Sequence, residues 1–153
     1  MKTLLLVDDD REVLDTLAAI LSRMDFNVIT RPDAKAALSL LREGARVDLI
    51  ITDYLMQDID GLEFLVLLKQ MLPDVPVIML TGYGEVETYL KSASLGVFDY
   101  MNKPIKMKEL RRIVQAALAS AEERSAVRQT DVSSKNGTGP ASLVQMPEAV
   151  RSP

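Results

Sequence analysis

Short apolar runs alternate with segments of helical periodicity along most of this chain. Thr3–Val7 is a continuous apolar run of strand length. The segment after it places apolar residues on one stripe at helical spacing, namely Val13, Leu14, Leu17, Ile20, Leu21 and Met24. This pattern predicts a buried strand followed by an amphipathic helix.

The same strand-helix unit recurs four more times. The further predicted strands are Asn27–Thr30, Asp48–Asp53, Val77–Leu80 and Val97–Met101. The further predicted helices lie near Ala34–Leu41, Leu62–Leu72, Val86–Ala93 and Leu110–Ala121, and the last of them ends near Arg124–Arg128. Gly44, Pro73 and Gly96 act as stop signals. Strand runs without polar alternation predict a parallel sheet covered by helices on both faces, a doubly wound α/β fold of five β-α units.

The sequence changes character after about Ala126. The stretch VSSKNGTGPAS combines Ser, Gly and Pro without apolar periodicity. We therefore predict a folded domain over residues 1–124 and a disordered tail over residues 125–153. Because this tail is too short for a second domain, we expect it to carry no DNA-binding or enzymatic output module.

Composition narrows the chemistry open to the chain. The 153 residues are 48% hydrophobic and include no Cys and no His, which excludes thiolate nucleophiles, imidazole metal ligands and a Ser-His-Asp triad. A net charge of -4 argues against a sequence-independent grip on nucleic acid. No apolar run approaches the roughly 18 residues of a membrane span, and no signal peptide is evident. We therefore expect a cytoplasmic protein that binds neither membrane nor nucleic acid directly.

Polar residues follow the predicted strands at one edge of the sheet. Asp8–Asp10 follow the first strand, Asp53 ends the third, Thr81 follows the fourth and Lys103 follows the fifth. Ligands of doubly wound sheets bind at the carboxyl ends of the strands, so these residues form the candidate site. Clustered carboxylates without His or Cys favour Mg²⁺. A hydroxyl and an ammonium group beside them indicate a site that handles a phosphoryl group.

Four segments of the chain together resemble the receiver domain of two-component response regulators. They are LLLVDDDREV, ITDYLMQDIDG, VIMLTGYG and FDYMNKPIKMKEL. Their acids, threonine and lysine follow in the order of that family, with spacings of 45, 28 and 22 residues from Asp8 through Asp53 and Thr81 to Lys103. The resemblance covers roughly Met1–Ala121 and implies the flavodoxin-like receiver fold.

The resemblance also implies a role for each polar residue at this edge. Asp53 is the expected phosphoryl acceptor. The expected Mg²⁺ ligands are Asp8, Asp9, Asp53 and the backbone carbonyl of Leu55. Lys103 is expected to contact the phosphoryl oxygens, Thr81 is the expected switch hydroxyl and Tyr100 the expected switch aromatic. A cis peptide bond is expected before Pro104.

The function implied is that of a phosphoacceptor signalling module. A sensor histidine kinase or a histidine phosphotransfer protein would supply the phosphoryl group, and a downstream protein would read the changed surface. Such a receiver modifies itself and is not a turnover enzyme. The alternative is a Mg²⁺-dependent phosphohydrolase with an aspartyl-phosphate intermediate, which would need a general acid and a substrate pocket. The short loop Tyr54–Asp60 offers little room for either.

Some of these charged residues also have purely structural interpretations. Asp9 with Glu12 fits a helix capping box, and so does Asp60 with Glu63. For the first three acids we favour metal binding by Asp8 and Asp9, and we assign capping to Asp10. A basic cluster near the start of the last helix is interpreted as a solvated or partner-docking face; it comprises Lys103, Lys106, Lys108, Arg111 and Arg112.

Overall fold

The computed structural model describes residues 1–82, 91 and 93–128. Its strands are β1 (Thr3–Val7), β2 (Asn27–Arg31), β3 (Leu49–Asp53), β4 (Val77–Thr81) and β5 (Asp99–Asn102). Its first three helices are α1 (Arg11–Arg23), α2 (Ala34–Arg42) and α3 (Gly61–Met71), and a further helix covers residues 107–128. The strands form one parallel sheet in the order β2-β1-β3-β4-β5. The predicted doubly wound α/β class is confirmed.

The three central strands β1, β3 and β4 are almost entirely buried because each faces a core on both sides. Alternate strand residues such as Leu4 and Leu6 join the cluster under α1 and the last helix. Their neighbours Leu5 and Val7 join the opposite cluster under α2 and α3. A side-chain period of two therefore buries both sets of positions in these central strands, which explains their apolar runs in the sequence. The edge strands β2 and β5 are only partly buried.

Local signals fix the helix ends. The side chain of Asp33 accepts a hydrogen bond from the Ala36 N–H and caps α2. Gly44 and Gly96 both have a φ of +97°, a conformation that glycine adopts without a steric penalty, and both follow helical residues. The fourth predicted helix lies mostly outside the described residues, although residues 91, 93 and 94 are helical.

The last strand begins later than predicted. Its ladder with β4 starts at Asp99 and ends at Asn102, whereas the apolar run predicts Val97–Met101. Phe98 lies in the connection before the strand, where its N–H donates to the carbonyl of Val77. The prediction is wrong here because hydrophobicity marks buried residues, and a residue packed under the sheet is not always a residue of the ladder.

The chain divides into two units, Met1–Leu118 and Ala119–Pro153. The first contains the sheet and the candidate site. In the second, residues 119–128 are helical and the remainder lies outside the described residues, so the predicted boundary at residue 124 and the disorder of the tail stay predictions. Within the described part of the chain, no helix has the length and apolar character needed to cross a membrane.

Candidate functional site

The predicted carboxylates meet at the carboxyl edge of the sheet. β1 and β3 are parallel neighbours with Val7 opposite Thr52, so the residues that follow these two lie side by side. One oxygen from each of Asp8, Asp9 and Asp53 lies within 4.8 Å of the others. Asp8 is 1% exposed and Asp53 is 6% exposed, whereas Asp9 is exposed. Two buried acids and one exposed acid therefore form a cluster of negatively charged side chains.

Lys103 reaches into this cluster from the end of β5. Its Nζ lies 2.9 Å from Asp8 Oδ2 and 3.2 Å from Asp53 Oδ1, so one ammonium bridges two carboxylates. The backbone N–H of Lys103 donates to the Thr81 carbonyl at 2.8 Å, which fixes the start of the loop. The predicted cis bond before Pro104 is present. Lys103 thus lies among the carboxylates, and its contact with phosphoryl oxygens stays a prediction.

Thr81, the last residue of β4, is 1% exposed at the same edge. Its hydroxyl donates a hydrogen bond to Asn102 Oδ1 at 3.1 Å. The two residues are opposite each other in the parallel ladder of β4 and β5. Asn102 was missed by sequence reasoning, although it is a polar residue at a strand end directly before Lys103.

Two further predicted site residues lie nearby in the fold. Leu55 is in the loop after β3 with its side chain 63% exposed. Tyr100 is half-buried in β5 and packs against the core cluster under α2 and α3. A metal-binding role for the Leu55 carbonyl and a switching role for Tyr100 stay predictions.

The neighbouring acids have structural roles. Asp10 is the N-cap of α1 and accepts hydrogen bonds from the N–H groups of Glu12 and Val13, so the assignment of capping to Asp10 is confirmed and the Asp9 capping box is wrong. The reason is that the helix begins at Arg11, one residue too late for Asp9 to cap it. Asp60 caps α3 through the Leu62 N–H, as predicted.

Asp58 is another residue that sequence reasoning missed. Its carboxylate accepts hydrogen bonds from the N–H groups of Ala34 at 3.5 Å and Lys35 at 2.9 Å. These two N–H groups lie in the first turn of α2, where backbone donors have no acceptor within the helix. The loop that follows Asp53 is thereby tied to a helix on the same side of the sheet, which restrains the backbone around Leu55.

The electrostatics of the site favour added positive charge. Burial and the neighbouring Asp8 carboxylate raise the pKa of Asp53 above its ordinary value, and the Lys103 ammonium only partly opposes this. Burial by itself lowers the pKa of Lys103, but the Asp8 and Asp53 carboxylates outweigh it and the pKa is raised. Lys103 therefore stays charged and cancels one of three negative charges. Two remain, which matches a divalent cation.

The donor set also fits magnesium. All the acidic side chains of the cluster offer hard oxygen ligands. Mg²⁺ prefers one or two carboxylates with several waters, and the exposed position of Asp9 leaves one side of the cluster open to water. The residues that could hold the ion are Asp8, Asp9 and Asp53.

Replacing the buried Asp53 should stabilise the protein when no divalent cation is present. The unfolded chain loses the Asp53 proton near pH 3.8, and the folded protein loses it at a higher pH. Because the folded state binds more protons in that window, the wild-type free energy of unfolding falls as pH rises through it. Asp53→Asn cannot titrate, so its free energy of unfolding should exceed that of the wild type by an amount that grows as pH rises toward 7. Urea unfolding in EDTA from pH 3.5 to 7.5 measures this, and a difference that does not grow with pH would contradict it.

Comparison with known proteins agrees with this geometry. The chain matches the family described as response regulator receiver domain over residues 4–115. Two-component response regulator ORR24 of Oryza sativa subsp. japonica is 42% identical over 112 residues, which is 72% of this chain and 18% of that protein. The DNA-binding transcriptional regulator NtrC of Azospirillum brasilense is 36% identical over 118 residues, 77% of this chain and 24% of that protein.

Solved structures give the same result. A receiver domain protein from Clostridium thermocellum superimposes with a TM-score of 0.76 at 25% identity, covering 80% of this chain and 98% of that one. NtrX from Brucella abortus gives a TM-score of 0.80 at 30% identity over 85% of this chain and 30% of that one. The chain therefore belongs to the response regulator receiver family of two-component systems. It spans 18% of the length of the rice relative.

Proposed function

We propose that this receiver takes a phosphoryl group from a phosphohistidine onto Asp53. The observation that carries the proposal is the Lys103 ammonium, 2.9 Å from Asp8 and 3.2 Å from Asp53 beside the exposed Asp9. This arrangement combines a carboxylate nucleophile, an ammonium group that can bind the incoming phosphoryl oxygens and an acid cluster suited to Mg²⁺.

The transfer follows from the chemistry of these groups. An Asp53 carboxylate oxygen attacks phosphorus, the P–N bond to the donor imidazole breaks, and its electron pair returns to the imidazole nitrogen. Lys103 then binds the new phosphoryl oxygens, and the Thr81 hydroxyl donates to another of them. Asp8, Asp9, Asp53 and the Leu55 carbonyl would hold Mg²⁺, which would supply charge neutralisation for the transferring group.

Phosphorylation would change the surface that partners read. The aspartyl phosphate carries roughly -1.5 to -2 charges where the Asp53 carboxylate carried one, and adds phosphoryl oxygens at a buried position. Movement of Thr81 toward it would free space for Tyr100, which is half-buried in β5, to turn inward. The resulting two-state equilibrium is biased by phosphorylation and read by a downstream protein. The donor is a sensor histidine kinase or a histidine phosphotransfer protein in the cytoplasm, in line with a chain without cysteine.

Incubation with a small phosphoryl donor and Mg²⁺ tests the proposal. Acetyl phosphate should add one phosphoryl group to the intact protein, seen by mass spectrometry and removed by hydroxylamine. The same samples should release little phosphate from small esters such as p-nitrophenyl phosphate. Sustained turnover of such esters would favour the phosphohydrolase alternative, and no labelling by any acyl phosphate or phosphoramidate would contradict the acceptor assignment.

We also propose that the receiver domain occupies residues 1–124 and that the segment after it is not needed for phosphorylation. The carboxylates, Thr81 and Lys103 all lie in the unit Met1–Leu118. A chain shortened to end at Arg128 should fold and take up the phosphoryl group at a rate within about twofold of the full chain, because no group of the site is lost. Stopped-flow or mass-spectrometric rates compare the two. A shortened chain that folds but no longer accepts the group would show that the segment after Arg128 is needed for phosphorylation.

A further inference from the structure

The Thr81 hydroxyl is hydrogen-bonded to another polar side chain at this edge of the sheet. Thr81 is buried at the site, yet its hydroxyl donates to Asn102 Oδ1, 3.1 Å away. A hydroxyl carries a single proton and can donate it to one acceptor at a time. While Thr81 donates to Asn102, it cannot donate to a phosphoryl oxygen at Asp53.

The backbone fixes this pairing. Thr81 and Asn102 are opposite each other in the ladder of the parallel strands β4 and β5. The Lys103 N–H donates to the Thr81 carbonyl at 2.8 Å, so the ladder is closed directly beside the pair. Asn102 therefore holds the hydroxyl from a position set by the sheet, and the next residue is the lysine that bridges Asp8 and Asp53.

The two partners differ in what they lose when the bond breaks. Asn102 is exposed, so water can replace Thr81 at its Oδ1. The buried Thr81 hydroxyl needs another acceptor, because an unsatisfied buried polar group is costly. A phosphoryl oxygen would supply that acceptor. Thr81 can therefore exchange Asn102 for a phosphoryl oxygen as its acceptor. The phosphorylated conformation then loses the hydrogen bond between Thr81 and Asn102, which lowers its stability relative to the unphosphorylated one.

We propose that Asn102 is a positioning residue that holds Thr81 in the unphosphorylated arrangement and competes with the phosphoryl group for its proton. This inference rests on the proposed phosphoryl-acceptor function. It predicts that removing the Asn102 acceptor strengthens binding of a phosphoryl group or its analogue at Asp53, and that it does so only through the Thr81 hydroxyl.

Beryllofluoride with Mg²⁺, a tetrahedral analogue of a phosphoryl group on a carboxylate, is the probe. Asn102→Leu keeps the side-chain size, removes the acceptor and changes an exposed position, so folding is preserved. Its affinity for beryllofluoride should rise about fivefold to tenfold, the value of one neutral hydrogen bond. Titration calorimetry measures the affinity, and the labelling rate with acetyl phosphate gives a second readout.

A double-mutant cycle separates competition for the proton from a purely structural role. In a Thr81→Ala background, Asn102→Leu should have no effect on either readout. In a Thr81→Ser background, which keeps the hydroxyl, the gain should return. Asn27→Leu is the matched control, because Asn27 donates from Nδ2 to Thr3 Oγ1 at 3.2 Å in another in-register pair, at the opposite end of the strands. It should leave both readouts unchanged.

Each other outcome overturns the proposal. An unchanged or weaker affinity of Asn102→Leu, or an equal gain with and without the Thr81 hydroxyl, would show that Asn102 does not compete for this proton. Failure of the wild type to bind beryllofluoride and to accept a phosphoryl group would instead overturn the acceptor function itself, and with it the role of Asn102.

Discussion

Asp53→Asn should take up no phosphoryl group under conditions in which the wild type takes up one. The amide lacks the anionic oxygen that attacks phosphorus, and no other acid of the cluster shares its position. Asp8 has both oxygens engaged, with Lys103 Nζ at 2.9 Å and the Asp10 N–H at 2.9 Å. Asp9 is exposed and lies outside the Lys103 bridge. The loss should be complete in intact-mass spectra after incubation with acetyl phosphate and Mg²⁺.

Asp10→Asn is the matched control for this result. It removes one negative charge from the same edge of the sheet and keeps an N-cap, since asparagine caps helices as well as aspartate does. This variant should be labelled to the wild-type extent. Equal labelling of Asp53→Asn and the wild type would show that the acceptor is a different residue.

Mg²⁺ should stabilise the wild type strongly, and Asp9→Ala should lose most of that gain. An ion that binds only the folded state at about 100 times its Kd adds roughly 2.7 kcal/mol, or about 5–10 °C in Tm. The gain is expected because the cluster carries two uncompensated negative charges, with buried Asp8 and Asp53 beside each other. Thermal unfolding with and without Mg²⁺ measures it.

Asp9 is the informative position because its side chain is exposed, so its removal leaves the core intact. Asp8 would be a poorer choice, since it anchors both Lys103 and the Asp10 N–H. Asp15→Ala makes the same chemical change at an exposed site on α1, 3.5 Å from Arg11, and should keep the full gain. A Tm of Asp9→Ala that rises with Mg²⁺ as the wild type does would place the ion elsewhere.

The sequence predicted the fold class because its signals are local. Apolar runs such as Thr3–Val7 indicate strands that are buried on both faces. Helices are indicated by apolar residues at helical spacing and by N-cap residues such as Asp33. Asp8, Asp53 and Lys103 could then be predicted to lie at one edge of the sheet, because the carboxyl ends of parallel strands lie at the same edge. That inference needed the fold class and no distances.

Residues whose role depends on a partner far along the chain were harder to find. Asn102 matters through Thr81, 21 residues away, and Asp58 matters through Lys35, 23 residues away. Neither contact produces a periodic pattern in the sequence, because each depends on which residues the fold brings opposite each other. The capping contacts of Asp10 are local, with the N–H groups of Glu12 and Val13, and the sequence predicted that role.

The sequence by itself determined the strand-helix alternation, the acidic edge, and the identity of the lysine and threonine beside it. These follow from hydrophobic periodicity and from the types of residue at the strand ends, which are properties of short segments. Only the tertiary structure decided the order β2-β1-β3-β4-β5, the bridge from Lys103 to two carboxylates and the donation of the Thr81 hydroxyl to Asn102. Those features depend on register and packing between distant segments, where the free energy of one arrangement over another is a sum over the whole core.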